Sequence, residues 1–162
     1  MKRLSFLSKL KKEGKLELVE PSEEVCSSYL EKADNCFKSA RILLQNNLYE
    51  NSVSMSYYTM YNSLTALLFK IGIKCENHTG SIFIFKKLFE ITELFETISS
   101  AKKERIDKQY YVGSKDNLIL TKESAQDLLS KAEDFLVKIK LMIKDLRNEE
   151  IKKLREKVGY ID

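Results

Sequence analysis

Proline occurs once in this chain and glycine five times, so there is little to make the tight turns of a many-stranded protein, and the composition points to helix. Histidine also occurs once, at His78. A di-iron carboxylate bundle needs Glu-x-x-His on two helices, and Cys75 stands three residues before the lone histidine, so that arrangement is excluded. The three cysteines, Cys26, Cys36 and Cys75, contain no C-x-x-C pair. Their odd number suits a reducing compartment and small apolar packing groups better than a disulfide frame. A zinc site built from them and His78 fails on geometry, because ten helical residues separate Cys26 from Cys36 by about 15 Å of rise. No stretch approaches the roughly 18 uncharged apolar residues of a membrane span; Lys70 interrupts the best candidate. The basic N-terminus has no apolar run of the signal-peptide kind. Glycine-rich phosphate loops, G-x-S-x-G elbows, internal repeats and low-complexity segments are missing too. The expectation is one cytoplasmic domain of 162 residues, without metal, cofactor or membrane, long enough to bury a single core.

What is present is organised around Ser52 to Gly72, SVSMSYYTMYNSLTALLFKIG. Val53, Tyr57, Met60, Tyr61, Leu64, Leu67, Leu68 and Ile71 recur at steps of three and four, which places them on one helical face. Tyr58 and Phe69 widen that face, and no charge falls between Glu50 and Lys70. A helix apolar so far round its cylinder is central to a bundle. Tyr57, Tyr58 and Tyr61 each need a partner for the hydroxyl if buried; they read either as core or as the floor of a shallow site.

Around this helix the chain divides into a basic N-terminal arm (1–20), a helical bundle (21–146) and a charged C-terminal extension (147–162). The arm carries six basic and three acidic residues, with Leu4, Phe6, Leu7 and Leu10 as a short amphipathic pattern that Gly14 stops. It reads as a docking arm or a frayed end. Pro21-Ser22-Glu23-Glu24 starts the first long helix, whose stripe is Val25, Tyr29, Ala33, Phe37, Ala40 and Leu44. Leu48–Asn51 reads as a link allowing only an antiparallel return. After Gly72, KCENHTG reads as a polar loop in which Asn77 or Thr79 caps the next helix. Ile82, Phe85, Leu88 and Phe89 face that helix inward, and Leu94, Phe95, Ile98 and Ala101 continue past a break near Thr92. Residues 113–120 read as a loop with room for a short extended piece. Thr121-Lys122-Glu123-Ser124 caps the last bundle helix, which runs on Ala125, Leu128, Leu129, Ala132, Phe135, Ile139, Met142, Ile143 and Leu146. Beyond Arg147 only a thin stripe remains, Ile151, Leu154 and Val158, expected to be solvated or to pack on a partner chain.

The strongest chemistry lies in Lys102, Lys103, Arg105 and Lys108 beside Tyr110 and Tyr111. Arginine grips phosphate through two parallel hydrogen bonds and neighbouring rings stack on bases, a combination used by single-stranded nucleic-acid sites. A solvated helix end with two tyrosines tucked onto the bundle has the same sequence. His78 likewise reads as a polar loop residue, or as an imidazole near the basic segment that helps hold a phosphate or base.

The segment YENSVSMSYYTMYNSLTALLFKIGIKCENHTGSIFIF resembles the HEPN domain pattern, in its stand-alone archaeal and bacterial form. The likeness lies in the Tyr-Tyr-x-Met-aromatic core, the run to Leu-Leu, the following Gly, and the His-Thr-Gly that opens the third helix. It extends over about residues 25 to 146. The resemblance implies an all-α, up-and-down bundle of four to five helices, homodimers, and binding of nucleotides or RNA, often beside a small nucleotidyltransferase in toxin–antitoxin-like pairs. Ribonuclease members carry Arg-x(4–6)-His in the later helix, with two copies meeting across a dimer. Arg105 supplies the arginine here, but Tyr110 stands at the histidine position. With a solution pKa of about 10, a phenol is a poor general base at neutral pH. Ile106 replaces the usual polar residue after the arginine, and Met55 stands where an arginine often precedes Ser-Tyr-Tyr. The reading is thus a non-catalytic nucleotide- or RNA-binding protein that uses Lys102, Arg105, Lys108, Tyr110 and Tyr111. The alternatives are a dimeric, metal-independent ribonuclease using Arg105, Tyr110 and His78, and a structural helical adaptor that captures partners through 147–158.

Overall fold

The computed structural model describes the backbone of residues 2–110 and 120–160, and the side chains of 6–106 and 120–160. It is all-α apart from one small ribbon: α1 (Lys2–Lys12), β1 (Leu16–Leu18), α2 (Glu23–Gln45), α3 (Tyr49–Lys70), β2 (Ile73–Cys75), α4 (His78–Phe89), α5 (Thr92–Tyr110), α6 (Lys122–Asp145) and α7 (Asn148–Gly159). Helices α2 to α6 are the expected bundle, and α3 packs against α2, α4, α5 and α6. Among the described residues no helix is long and apolar enough to cross a membrane.

The central helix owes its close packing to small hydroxyls. Ser52, Ser56, Thr59 and Ser63 are wholly buried on α3. Thr59 and Ser63 bond back to the carbonyls of Met55 and Met60 at 2.9 and 2.8 Å, which hides a hydroxyl inside a helix at little cost. Ser52 instead donates across the helix pair to the Ala40 carbonyl at 2.8 Å. With Ala33 and Ala40 facing it from α2, α3 lies close against its neighbour. On the opposite side, Phe135 and Ile139 of α6 and Ile98 of α5 complete a core free of solvent.

Local signals set several boundaries. Ser22 caps α2 by accepting from the Val25 amide at 3.1 Å, and Thr121 with Ser124 forms a reciprocal capping box on α6. Glu90, at φ 57°, breaks the chain between α4 and α5, two residues before the expected Thr92.

Four expectations are corrected. Tyr49–Asn51 form the first turn of α3, so the connection from α2 is only 46–48, and the Leu48 carbonyl already accepts from the Ser52 amide. The segment after Gly72 is not simply a polar loop: Ile73–Cys75 pairs antiparallel with Leu16–Leu18, Leu16 opposite Cys75 and Leu18 opposite Ile73. The arm is not frayed along its length, because Leu7 and Leu10 are buried and Phe6 meets Phe83 edge-on at 6.1 Å. Gly80 makes this docking possible, since a Cβ there would press on Leu10 and on the Cys75 sulfur. Finally, the 147–158 stripe needs no partner to cover it: Val158 is 2% exposed and Ile151 9%, both within the core of the same chain. The residues read as a loop with an extended piece, 113–119, lie outside the described residues.

Candidate functional site

Tyr57 and Tyr58 are consecutive on α3, so their rings leave the helix on adjoining faces, and two further elements converge on them. From α5 comes Arg105, its guanidinium carbon 5.1 Å from the centre of the Tyr57 ring and 5.4 Å from that of Tyr58, while Nη1 donates to the Tyr58 hydroxyl at 3.4 Å. A guanidinium spread over aromatic faces is attracted by their quadrupoles and fixed in direction. From α4 comes His78, the first residue after the Asn77 cap, whose Oδ1 accepts from the Gly80 amide at 2.8 Å. The His78 Nδ1 shares a 2.7 Å hydrogen bond with the Tyr57 hydroxyl, and the imidazole stacks on Tyr61 with centroids 3.7 Å apart.

Electrostatics follow from this crowding. Burial, then the positive charges of Arg105 and Lys102, pushes the His78 pKa below its ordinary 6.5, so the imidazole is neutral at neutral pH. Burial likewise pushes the Tyr57 phenol far up, and Tyr61 and Tyr58 push in the same direction, against the opposing pull of Arg105. Tyr57 therefore stays protonated. Its bond occupies Nδ1 of the imidazole and makes Nε2 an N–H donor where the phenol donates, or an acceptor where Nδ1–H donates to the phenol oxygen. Lys102 donates to the Thr79 hydroxyl, and burial followed by Arg105 lowers its pKa. The arrangement offers fixed cations, a neutral imidazole and aromatic faces.

Two depressions flank this constellation. One is a cleft of about 530 Å³ bordered by Tyr58, Tyr61 and His78 on one side, and by Tyr29, Lys32 and Phe69 on the other. The second is a shallower groove of about 370 Å³ between α4 and α5, lined by Ile82, Phe83, Phe95, Lys102 and Lys103.

Of the residues singled out in the sequence, the structure brings together Lys102, Arg105 and His78, and sets Lys103 on the neighbouring groove. His78 is not a loop residue but the first turn of α4, half-buried against α3. The side chains of Lys108 and Tyr110, and the whole of Tyr111, lie outside the described residues. Of the three tyrosines, Tyr57 is wholly buried in the core, whereas Tyr58 and Tyr61 line the cleft. Sequence reasoning passed over Tyr29, Lys32 and Asn62, which share that cleft. Asn62 did leave a signal: it is an amide in the middle of a helix with no charge for five turns. Among the described residues no group of three or more His, Cys, Asp and Glu side chains is placed to hold a metal ion.

Comparison with known proteins agrees with this architecture. The HEPN domain model matches residues 26–142. A "UPF0332 protein" of Thermotoga maritima is 26% identical over 77% of this chain and 96% of its own length. Two proteins of Methanocaldococcus jannaschii, each named "Putative toxin", are 28% and 33% identical, over 76% and 68% of this chain and 92% and 76% of their own lengths. The match spans α2, α3, α4 and α5 and most of α6, including every residue that meets at Tyr57 and Tyr58, and on that ground the chain belongs to the HEPN domain family.

Proposed function

We propose that this HEPN protein binds single-stranded RNA or a nucleotide at the Tyr57–Tyr58 constellation, without strong catalysis of its own. The observation that carries this reading is Arg105 laid across two tyrosine rings beside Lys102 and a neutral imidazole. Arg105 is then held ready for a phosphate, at reduced entropic cost for each bond formed. Tyr58 and Tyr61 supply faces for stacking, and Lys108, Tyr110 and Tyr111 would extend the contact along α5 and beyond. The toxin names of two relatives support a place in a toxin–antitoxin-like pair. In such a pair this chain, as a cytoplasmic homodimer, would be the partner of a small nucleotidyltransferase.

A second reading is favoured by one specific observation. The imidazole missing from the Arg-x(4–6)-His spacing is replaced in space, because His78 and Arg105 approach the same two tyrosines from different helices. When Nδ1–H donates to the Tyr57 hydroxyl, Nε2 of the neutral His78 is the unprotonated nitrogen and can act as a general base; in the other tautomer Nε2 is an N–H donor. A ribonuclease site of Arg105, His78 and Tyr110 would then be shared between two chains.

Both readings are tested by titrating a fluorescent single-stranded RNA at several salt concentrations and running the mixtures on a gel. Arg105→Met keeps an apolar stem on the tyrosines but removes one phosphate contact. It should lower affinity about tenfold or more and reduce the slope of log K against log salt by about 0.7. An unchanged slope and affinity would remove Arg105 from the interface. Cleavage that disappears in Arg105→Met and in His78→Gln would instead establish the ribonuclease reading.

A further inference from the structure

Three elements, α1, β1 and α7, wrap the approach to His78, and none of them lies among the residues that the HEPN domain model matches. From α1, the buried Leu10 packs on Gly80 so closely that a β-carbon there would press on it. Gly80 follows His78 by two residues in the first turn of α4, and its amide donates to the Asn77 cap. The Leu10 carbonyl accepts from the Lys15 amide at 2.9 Å, and the Lys15 carbonyl accepts from the Glu76 amide at 2.9 Å. The end of α1 is thereby joined through the ribbon to the residue just before that cap.

The other end of the ribbon is closed by α7. Arg155 Nη1 donates to the carbonyls of Val19, just after β1, and of Ile71 and Gly72, just before β2. Lys11 Nζ reaches the Gly159 carbonyl at 3.2 Å, which links α1 to α7. A two-stranded ribbon is at best marginally stable by itself, so the packing of α1 and α7 decides where β2 lies. A shift of β2 carries Asn77 and the first turn of α4 with it. That turn bears the imidazole, bonded to the Tyr57 hydroxyl at 2.7 Å and stacked on Tyr61 at 3.7 Å.

From these connections we infer that α1, β1 and α7 form a positioning collar for His78, which holds the first turn of α4 so that the imidazole stays in the cleft wall. Leu10 and Arg155 are its positioning residues, the first acting through Gly80 and the second through the ribbon. Release of α7 frees the ring from Tyr61, and the collar is then a control element of the site. Only that last consequence rests on the nucleotide-binding reading, since the position of the ring is measurable with no RNA present.

The chain has one histidine, so the imidazole signals in a proton–carbon NMR spectrum of the full chain belong to His78. The charged and titratable groups around that ring come from three elements: Tyr57, Tyr58 and Tyr61 of α3, Lys102 and Arg105 of α5, and Lys74, Cys75 and Glu76 of the ribbon and its end. Wild-type His78 should titrate below 6.5 and show the upfield shifts of a stacked ring. In Arg155→Ala and Leu10→Ala, checked for their fold by circular dichroism, the shifts should move toward those of free histidine. The titration should rise toward 6.5 as water reaches the ring. Arg155→Lys keeps a cation at the C-terminus of α3 without the guanidinium fork and should lie between. Leu44→Ala, buried at the end of α2 away from the ribbon, should lower stability and leave both readings at wild-type values. Unmoved shifts and titration in folded Arg155→Ala and Leu10→Ala would overturn the inference. Equal movement in Leu44→Ala would do the same, because any loosening of the bundle would then free the ring. If Arg155→Ala does not fold, Arg155→Lys and Leu10→Ala decide between the same outcomes. Each folded variant is then titrated with the fluorescent single-stranded RNA. Weaker binding wherever the ring has moved supports control of the site by the collar; unchanged affinity with a displaced ring would sink RNA binding at this cleft and leave the positioning role standing.

Discussion

Replacing Arg155 by alanine should loosen the molecule far from any ligand, and the size of the effect can be worked from its contacts. Arg155 Nη1 donates toward three carbonyls, those of Val19 at 2.6 Å, Gly72 at 2.9 Å and Ile71 at 3.1 Å. Ile71 is the C-cap of α3, where the helix dipole places partial negative charge and a cation is favoured. One guanidinium nitrogen has two protons, so three carbonyls amount to about two full bonds. A bond to a charged group contributes about 1.5–3 kcal/mol. The side chain is half-buried and water can replace part of what is lost, so a total of about 3 kcal/mol is expected. For a chain of this length that corresponds to a fall in Tm of about 6–12 °C. Urea denaturation followed by far-UV circular dichroism measures the first quantity. Limited trypsin digestion measures where the loss falls, since Lys152 and Lys153 are already exposed but lie in helical backbone, and unwinding of α7 makes that backbone cleavable before the bundle opens. A variant within about 0.5 kcal/mol of wild type, with unaltered digestion, would refute the idea that this arginine ties α7 to the ribbon.

Gly72→Ala probes the same junction from the other side. With φ at 74°, a β-carbon is strained there and would meet the Arg155 guanidinium and the Val19 carbonyl; a loss of about 2 kcal/mol or more is expected by urea denaturation, and a neutral result would mean the junction shifts freely. His78 should make stability depend on pH. Its pKa is lowered on folding by burial, Arg105 and Lys102, so the unfolded chain binds the proton more readily. The contribution is therefore complete above the unfolded value of about 6.5 and is lost as pH falls through the folded value. In His78→Gln the stability curve should be flatter than wild type below about pH 6.5; parallel curves would show that the imidazole titrates as it does in water.

The parts of this fold that were legible in the sequence are those specified by neighbours in the chain. The face of α3 from Val53 to Leu68 and the stripe of α6 from Ala125 to Ile143 follow from helical spacing, and both are buried as spaced. The Ser22 and Thr121 caps depend on residues three positions away and are where expected. The ribbon was not legible, because strands of three residues are too short to show alternation and their partners are far apart in sequence. The α7 stripe was underread for a different reason: Ile151, Leu154 and Val158 look thin on a helical wheel, but Arg155 anchors between them to backbone carbonyls that no sequence pattern reveals.

The candidate site shows the same division more sharply. Local spacing exposes the basic cluster around Arg105, the family resemblance adds the histidine missing from its motif, and both draw attention to α5 alone. The side chains converge where α5 and the first turn of α4 cross one segment of α3. Tyr57 meets the His78 nitrogen and the Arg105 guanidinium together, so the imidazole is supplied by a helix that the family spacing does not include. That placement has a chemical consequence. His78 is hydrogen-bonded at Nδ1 to the Tyr57 hydroxyl and stacked on Tyr61. Only Nε2 is left, and the ring is fixed as part of the cleft wall. Fixing a ring in this way serves stacking, where a preformed face lowers the entropy lost on binding. It serves proton transfer only if the scissile phosphate can be brought to Nε2. A fixed ring of this kind suits the proposed nucleotide-holding role better than the ribonuclease alternative, which requires a reacting phosphate at Nε2 with that nitrogen unprotonated.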